Sequence, residues 1–149
     1  MTMEECYQEL GGNYAEVCKL LSNPSLIERF TARFLDDQSY CDLCKEIENG
    51  NRQAAFRSAH TLKGVCANLS FTRLLETVSR LMEVLRPEAD TIPDDAVELL
   101  ENVRQDYQHT VDTIRKYQAV VACGNAVVVI KIKLGKGRKI DFELHFRRN

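Results

Sequence analysis

The chain has no tryptophan, and only 3 prolines and 7 glycines punctuate its 149 residues. It also lacks any apolar run approaching the roughly 20 residues of a membrane span, which excludes a transmembrane helix. The N-terminal stretch MTMEECYQEL is acidic where an export signal would be basic and then apolar, so a cytoplasmic location is expected and no membrane partner. A glycine-rich phosphate loop is missing. The chain therefore shows no apparatus for binding ATP. Strand-type alternation is absent before residue 118, which leaves helix as the only regular structure for most of the length.

Basic charge is scarce in the body. Residues 1–115 hold 12 basic and 20 acidic side chains, a net −8, whereas residues 116–149 hold 8 basic and 2 acidic, a net +6. An acidic body is a poor match for phosphate backbones, which need clustered Lys and Arg, so nucleic acid is not an expected partner. Six cysteines, at 6, 18, 41, 44, 66 and 123, fall on apolar helical positions without the loop-rich setting of a disulfide scaffold. Cys41 and Cys44 form a C-x-x-C, but no second pair or H-x-x-x-H completes four ligands. Buried, reduced thiols are expected, with no metal and no cofactor.

What is present is helical periodicity with clear punctuation. MEECYQEL stops at Gly11-Gly12, and NYAEVCKLL follows with Val17, Leu20 and Leu21 on one face. Asn23-Pro24 opens a helix with Leu26, Ile27, Phe30, Phe34 and Leu35 on one stripe. A further helix spans Ser39 to about Asn49, and Asn51 caps the long one after it. Thr72 is the expected cap of RLLETVSRLMEVLR, which ends before Pro87. The last helix starts at Pro93-Asp94-Asp95 and places Val97, Leu100, Val103, Tyr107, Val111 and Ile114 at three- and four-residue steps. These amphipathic segments with short joints predict an all-α antiparallel four-helix bundle over residues 1–117, with extra short helices at its N-terminus.

One stretch of the long helix, FRSAHTLKGVCANLS (Phe56–Ser70), carries two residues from which a helix gains nothing. At about 100° per residue, Leu62, Leu69 and Ala55 lie opposite His60, flanked by Val65, Cys66 and Ala59. His60 therefore faces outward. Its neighbours on the outer face are Gln53, Phe56, Arg57, Lys63, Gly64 and Ala67. Gly64 costs the helix about 1 kcal/mol relative to alanine and serves no core; what it provides is clearance beside the imidazole. The ammonium of Lys63, three residues on, shares the ring's face and suits an anion attached to it. Hydrolytic catalysis fits poorly, because no nucleophile–base–orienter set accompanies the ring and a convex helix face makes no pocket.

The run SAHTLKGVCANLS resembles the signature A-H-x-L-K-G-x-x-x-N-L-G of histidine-containing phosphotransfer (HPt) domains, and the preceding IENGNRQAAFR is similar to that family's short acidic helix and turn. The likeness covers roughly residues 1 to 117. It implies a four-helix bundle that relays phosphoryl groups between receiver domains, a carrier and not an enzyme. His60 would then be the phosphorylated residue, Lys63 would pair with the phosphoryl oxygens, and Gly64 would admit the receiver. Asn68 and Leu69 would serve helix packing. Phe56 and Ala67 are the candidate apolar docking contacts, with Arg57 and Gln53 beside them, and Arg86 at the end of the following helix is a candidate second phosphate-stabilising cation. Ser70 departs from the pattern, standing where the family usually has glycine. The implied partners are response-regulator receiver domains and a hybrid sensor kinase. His109 and His145 lack comparable surroundings and are expected to be structural or surface residues.

After Tyr117 the period changes. Ile130, Ile132 and Leu134 alternate, then Ile140, Phe142, Leu144 and Phe146 on the far side of GKGR. This predicts a β-hairpin at about residues 127–146 within a basic tail, 118–149, with Lys133 opposite Asp141 and Lys131 opposite Glu143. A monomer is expected unless the hairpin pairs with a second copy. Two other readings stand beside the free-standing phosphorelay intermediate: an HPt module of a larger hybrid or chemotaxis-type kinase, against which the initial methionine and the lack of kinase motifs weigh, and a non-phosphorylated helical adaptor, against which the His60-Lys63-Gly64 set weighs.

Overall fold

The helix starts follow from the residues just before them. In this computed structural model, which describes residues 1–124, Thr2 and Glu5 form a capping box: the Thr2 hydroxyl accepts from the Glu5 amide at 3.2 Å and the Glu5 carboxylate accepts from the Thr2 amide at 2.7 Å. They open α1 (Met3–Leu10), which stops at Gly11 with φ 75°. Asn13 Oδ1 accepts from the Glu16 amide at 3.0 Å to start α2 (Tyr14–Leu21), and Asn23 caps α3 (Pro24–Arg33), which tightens into a 3-10 turn at Phe34–Asp36. Asp37 Oδ1 accepts from the Ser39 amide at 3.0 Å at the head of α4 (Ser39–Glu48). Asn51 Oδ1 accepts from the Ala54 amide at 3.1 Å and opens α5 (Arg52–Asn68). The expected hairpin at about 127–146, with its two cross-strand charge pairs, lies outside the described residues, as does His145.

Two helix ends differ from expectation. Phe71, not Thr72, holds the cap position of α6 (Thr72–Val84); Thr72 is the first helical residue, and its hydroxyl turns back to donate to the Ser70 carbonyl at 3.4 Å. Phe71 is fully buried there, so packing, not a side-chain cap, fixes this start. The final helix, α7 (Asp95–Gly124), runs seven residues past Tyr117. Once a helix is anchored, each added residue gains a backbone hydrogen bond without a new nucleus. The exposed Ala119–Gly124 segment continues on that basis.

In α4 to α7, helices adjacent in sequence pack side by side. Arg52 at the start of α5 donates to the Val84 carbonyl at the end of α6 at 3.0 Å, so those two run antiparallel. Tyr40 of α4 stacks on Tyr107 of α7 with ring centroids 3.9 Å apart, which brings the first and last of the four together. The result is a helical bundle. The N-terminal helices seal one end through aromatic packing: Phe71 meets Tyr7 at 5.6 Å and Phe34 edge-on at 5.1 Å. Polar ties hold α1 and α3 to α7. Lys116 reaches the Glu9 carboxylate at 2.8 Å, His109 Nε2 meets the Glu9 carbonyl at 2.8 Å, and Tyr117 donates to Glu28 at 2.9 Å. His109 is thus structural.

Some apolar assignments are corrected. Leu20 is 58% exposed and Val97 is 65% exposed. α2 is only two turns long and buries its Val17 side alone, while the first turn of α7 buries Ala96 and turns Val97 away. The cysteines divide as well. All six are free; Cys6 and Cys66 are buried, Cys18 and Cys44 are half-buried, and Cys41 and Cys123 are exposed, so burial does not hold for the whole set. Burial pushes the Cys6 thiol up to about 11 and the Cys66 thiol up to about 12, which keeps both protonated. Among the described residues no cluster of His, Cys, Asp and Glu is arranged to hold a metal, and no helix is long and apolar enough to cross a membrane.

Candidate functional site

α5 is a helix with two contrasting faces. Ala55, Ala59, Leu62 and Cys66 are fully buried, and Leu69 just beyond the helix is nearly so. Small residues dominate this inner face, which lets α5 sit close to its neighbours. His60 stands on the opposite side, exposed. Gln53, Arg57, Gly64 and Ala67 are exposed around it, and Phe56 and Lys63 are half-buried. The whole outer set read from the helical wheel is therefore on one surface.

Local geometry shapes access to the ring. Phe56 lies one turn before His60, ring centroids 6.5 Å apart and 24° from parallel, so its ring stands next to the imidazole. On the C-terminal side the space is open: among the described residues, a Cβ added at Gly64 would meet no atom within 4 Å beyond its chain neighbours and its own helix backbone. Nothing in the fold requires glycine at that position.

The two flanks differ in chemistry. Toward α4 a cleft of about 340 Å³ is lined by Asp37, Gln38, Ser39, Asp42, Arg57, Ser58 and Thr61. Thr61 donates to the Arg57 carbonyl at 3.1 Å, a turn-back bond within the helix. Toward the C-terminal end of α5, an apolar hollow of about 370 Å³ is walled by Leu21, Phe30, Phe34, Val65 and Leu69, with Arg33, Asp37 and Asn68 at its edge. Asn68 is exposed and so does not serve helix packing as the family likeness implied, whereas Leu69 does. On the α6 side, Arg86 is exposed and forks onto Glu83, with Nε to Oε2 at 2.7 Å and Nη2 to Oε1 at 3.0 Å. Hydrogen bonds from Arg86 hold the Glu83 carboxyl below the usual range, and the charge of Lys63 adds to that effect. Sequence reasoning missed Glu83. Its three-residue spacing from Arg86 was the available signal.

Ser70 occupies the turn out of α5 with φ 51°, in the left-handed region, and its buried hydroxyl has no hydrogen-bond partner among the described residues. Its carbonyl accepts from the Asn13 amide at 2.8 Å. The departure at Ser70 is therefore a real conformational cost, taken on to close the α5–α6 turn against α2.

The bundle thus presents His60 to solvent, with the half-buried Lys63 on the same face and open space over Gly64 one turn later. The profile of the Hpt domain family matches residues 20–115, and the chain belongs to that family. Hpt domains are phosphocarrier modules of two-component signalling, so the chain carries a phosphotransfer role and interacts with receiver domains. No curated protein and no solved structure matches it.

Proposed function

We propose that the protein is a phosphorelay intermediate in which His60 takes a phosphoryl group from a receiver aspartate and passes it to another receiver. A lone pair of the neutral imidazole attacks phosphorus, a new N–P bond forms, and the aspartyl O–P bond breaks with its electrons returning to the carboxylate. The second ring nitrogen keeps its proton during this step, so the ring gains a positive charge as the aspartate regains its negative one. Transfer onward is the reverse with a different carboxylate. Lys63 neutralises charge on the equatorial oxygens in the transition state, Arg86 supplies a second cation, and the Mg²⁺ and acidic side chains such chemistry needs belong to the receiver. Gly64 and Ala67 let the receiver approach, while Phe56, Arg57 and Gln53 ring the contact. A cytoplasmic carrier fits this role.

The observation that carries the reading is the exposed His60 ring with empty space over Gly64. It is tested by mixing the purified chain with phosphorylated receiver domains and measuring acid-labile label. His60→Gln abolishes uptake and Lys63→Ala slows it with the helical circular dichroism unchanged; uptake by the His60→Gln protein overturns the assignment.

A further inference from the structure

We propose that Glu83 is a positioning residue that competes with the phosphorylated His60 ring for Arg86 and Lys63, and so sets how readily the phosphoryl group leaves. The inference rests on the reading of His60 as the carrier. It concerns a residue with no place in the motif.

Placement comes first. Arg57, Ser58 and Thr61 line the cleft shared with α4, so α4 occupies one flank of the His60 ridge. Phe56 and Lys63 lie about 40° and 60° from His60 in the other direction around α5, on the flank toward α6. The antiparallel contact of Arg52 with the Val84 carbonyl sets the C-terminal end of α6, with Glu83 and Arg86, beside the first turn of α5. Helical side chains lean toward the N-terminus of their own helix, which directs Lys63 back along α5 toward this group. After the Arg86 hydrogen bonds and charge, the charge of Lys63 also helps hold the Glu83 carboxyl low. Arg80, the other nearby cation of α6, is paired with Glu76, and Glu88 is the remaining acidic group that acts on Arg86.

Chemistry supplies the rest. A guanidinium fork fits two carboxylate oxygens and two phosphoryl oxygens equally well. In the resting protein Glu83 accepts from Nε and Nη2 of Arg86, the fork edge of its guanidinium and two of its five N–H donors. A phosphoryl group on His60 introduces about two negative charges and three acceptor oxygens, one turn from Lys63, whose charge also acts on Glu83. Exposed ion pairs are weak, so the Arg86–Glu83 fork is easily exchanged for an Arg86–phosphoryl one. While the Glu83 carboxylate remains, it draws back both cations and weakens the hold on the phosphoryl group. The phosphohistidine stays labile, as a relay requires.

The test is the partition of label at equilibrium between the full chain and a receiver domain that exchanges phosphoryl with it. Glu83→Gln, close in shape but uncharged, shifts the ratio toward this protein by about threefold at low salt, and about 0.5 M NaCl erases most of the shift. Glu83→Asp returns the ratio toward wild type. In an Arg86→Gln, Lys63→Gln background, Glu83→Gln changes nothing. An unchanged partition for Glu83→Gln, or a shift that persists without the two cations, overturns the proposal while wild-type labelling keeps His60 as the carrier. Wild-type protein that labels no better than His60→Gln overturns both.

Discussion

Two glycines mark two regions that obey different rules. Gly12 lies where the turn after α1 meets the turn before α6; a Cβ there would come within 2.8 Å of the Tyr7 ring, 2.9 Å of Leu10 and 3.0 Å of the Ser70 carbonyl. Gly64 lies on the outer face of α5, where the same addition meets nothing within 4 Å. The first glycine is dictated by its own protein's packing. The second has no such cause among the described residues, and it stands one turn from an exposed histidine. A residue that costs stability and fills no structural need fits a surface that the proposed transfer leaves open to a visitor.

The largest effect expected belongs to the packed region. Gly12→Ala forces the new methyl against a fully buried Tyr7 ring and a backbone carbonyl that already accepts from Asn13. Neither can retreat without opening the aromatic seal around Phe71. Overpacking of this kind costs about 2–3 kcal/mol, read as a lower urea midpoint with an unchanged slope. A loss below about 0.5 kcal/mol, within the range of ordinary surface substitutions, breaks the contrast between the two glycines.

A smaller gain is expected a short distance away at Ser70. Its left-handed backbone and its orphaned buried hydroxyl both act against the folded state. Glycine removes both and gives back some stability through its more flexible unfolded chain. Ser70→Gly therefore stabilises by about 1 kcal/mol net. Ser22 shares the φ of 51° but is exposed, so Ser22→Gly isolates the backbone part and gains less. Equal gains at both positions would assign the whole effect to φ and none to the hydroxyl.

The same two regions explain what sequence reading reached. Helix starts at Asn23 and Asn51 and the stop at Gly11 were legible because capping and left-handed turns are local chemistry. So was the His60 face, since period alone decides which side of α5 is polar. The left-handed Ser70 was legible only as a departure from a pattern. Thr72 was taken for a cap because its side chain is the right type, whereas the burial of Phe71, a tertiary fact, decided the position. Leu20 and Val97 read as core because periodicity assigns a stripe without knowing how far the neighbouring helix extends. Glu83 lay hidden for a related reason: its link to Lys63 crosses from α6 to α5, and no spacing within one helix reports it.

Gly64 gives the sharpest test of the contrast, because the fold and the proposed transfer ask for opposite things. With no atom near the added Cβ, Gly64→Ala should raise stability by about 0.5–1 kcal/mol through helix propensity alone. A methyl beside the imidazole narrows the approach, so uptake of label from a phosphorylated receiver slows. Gly64→Phe starts from an open Cβ position, so its urea midpoint should stay near wild type, yet its ring blocks docking over His60 and reduces uptake far more than alanine does. Stability and transfer thus move apart along one series, glycine to alanine to phenylalanine. If transfer by the phenylalanine protein matches wild type, the clearance over this helix serves no visitor, and Gly64 loses the explanation that separates it from Gly12.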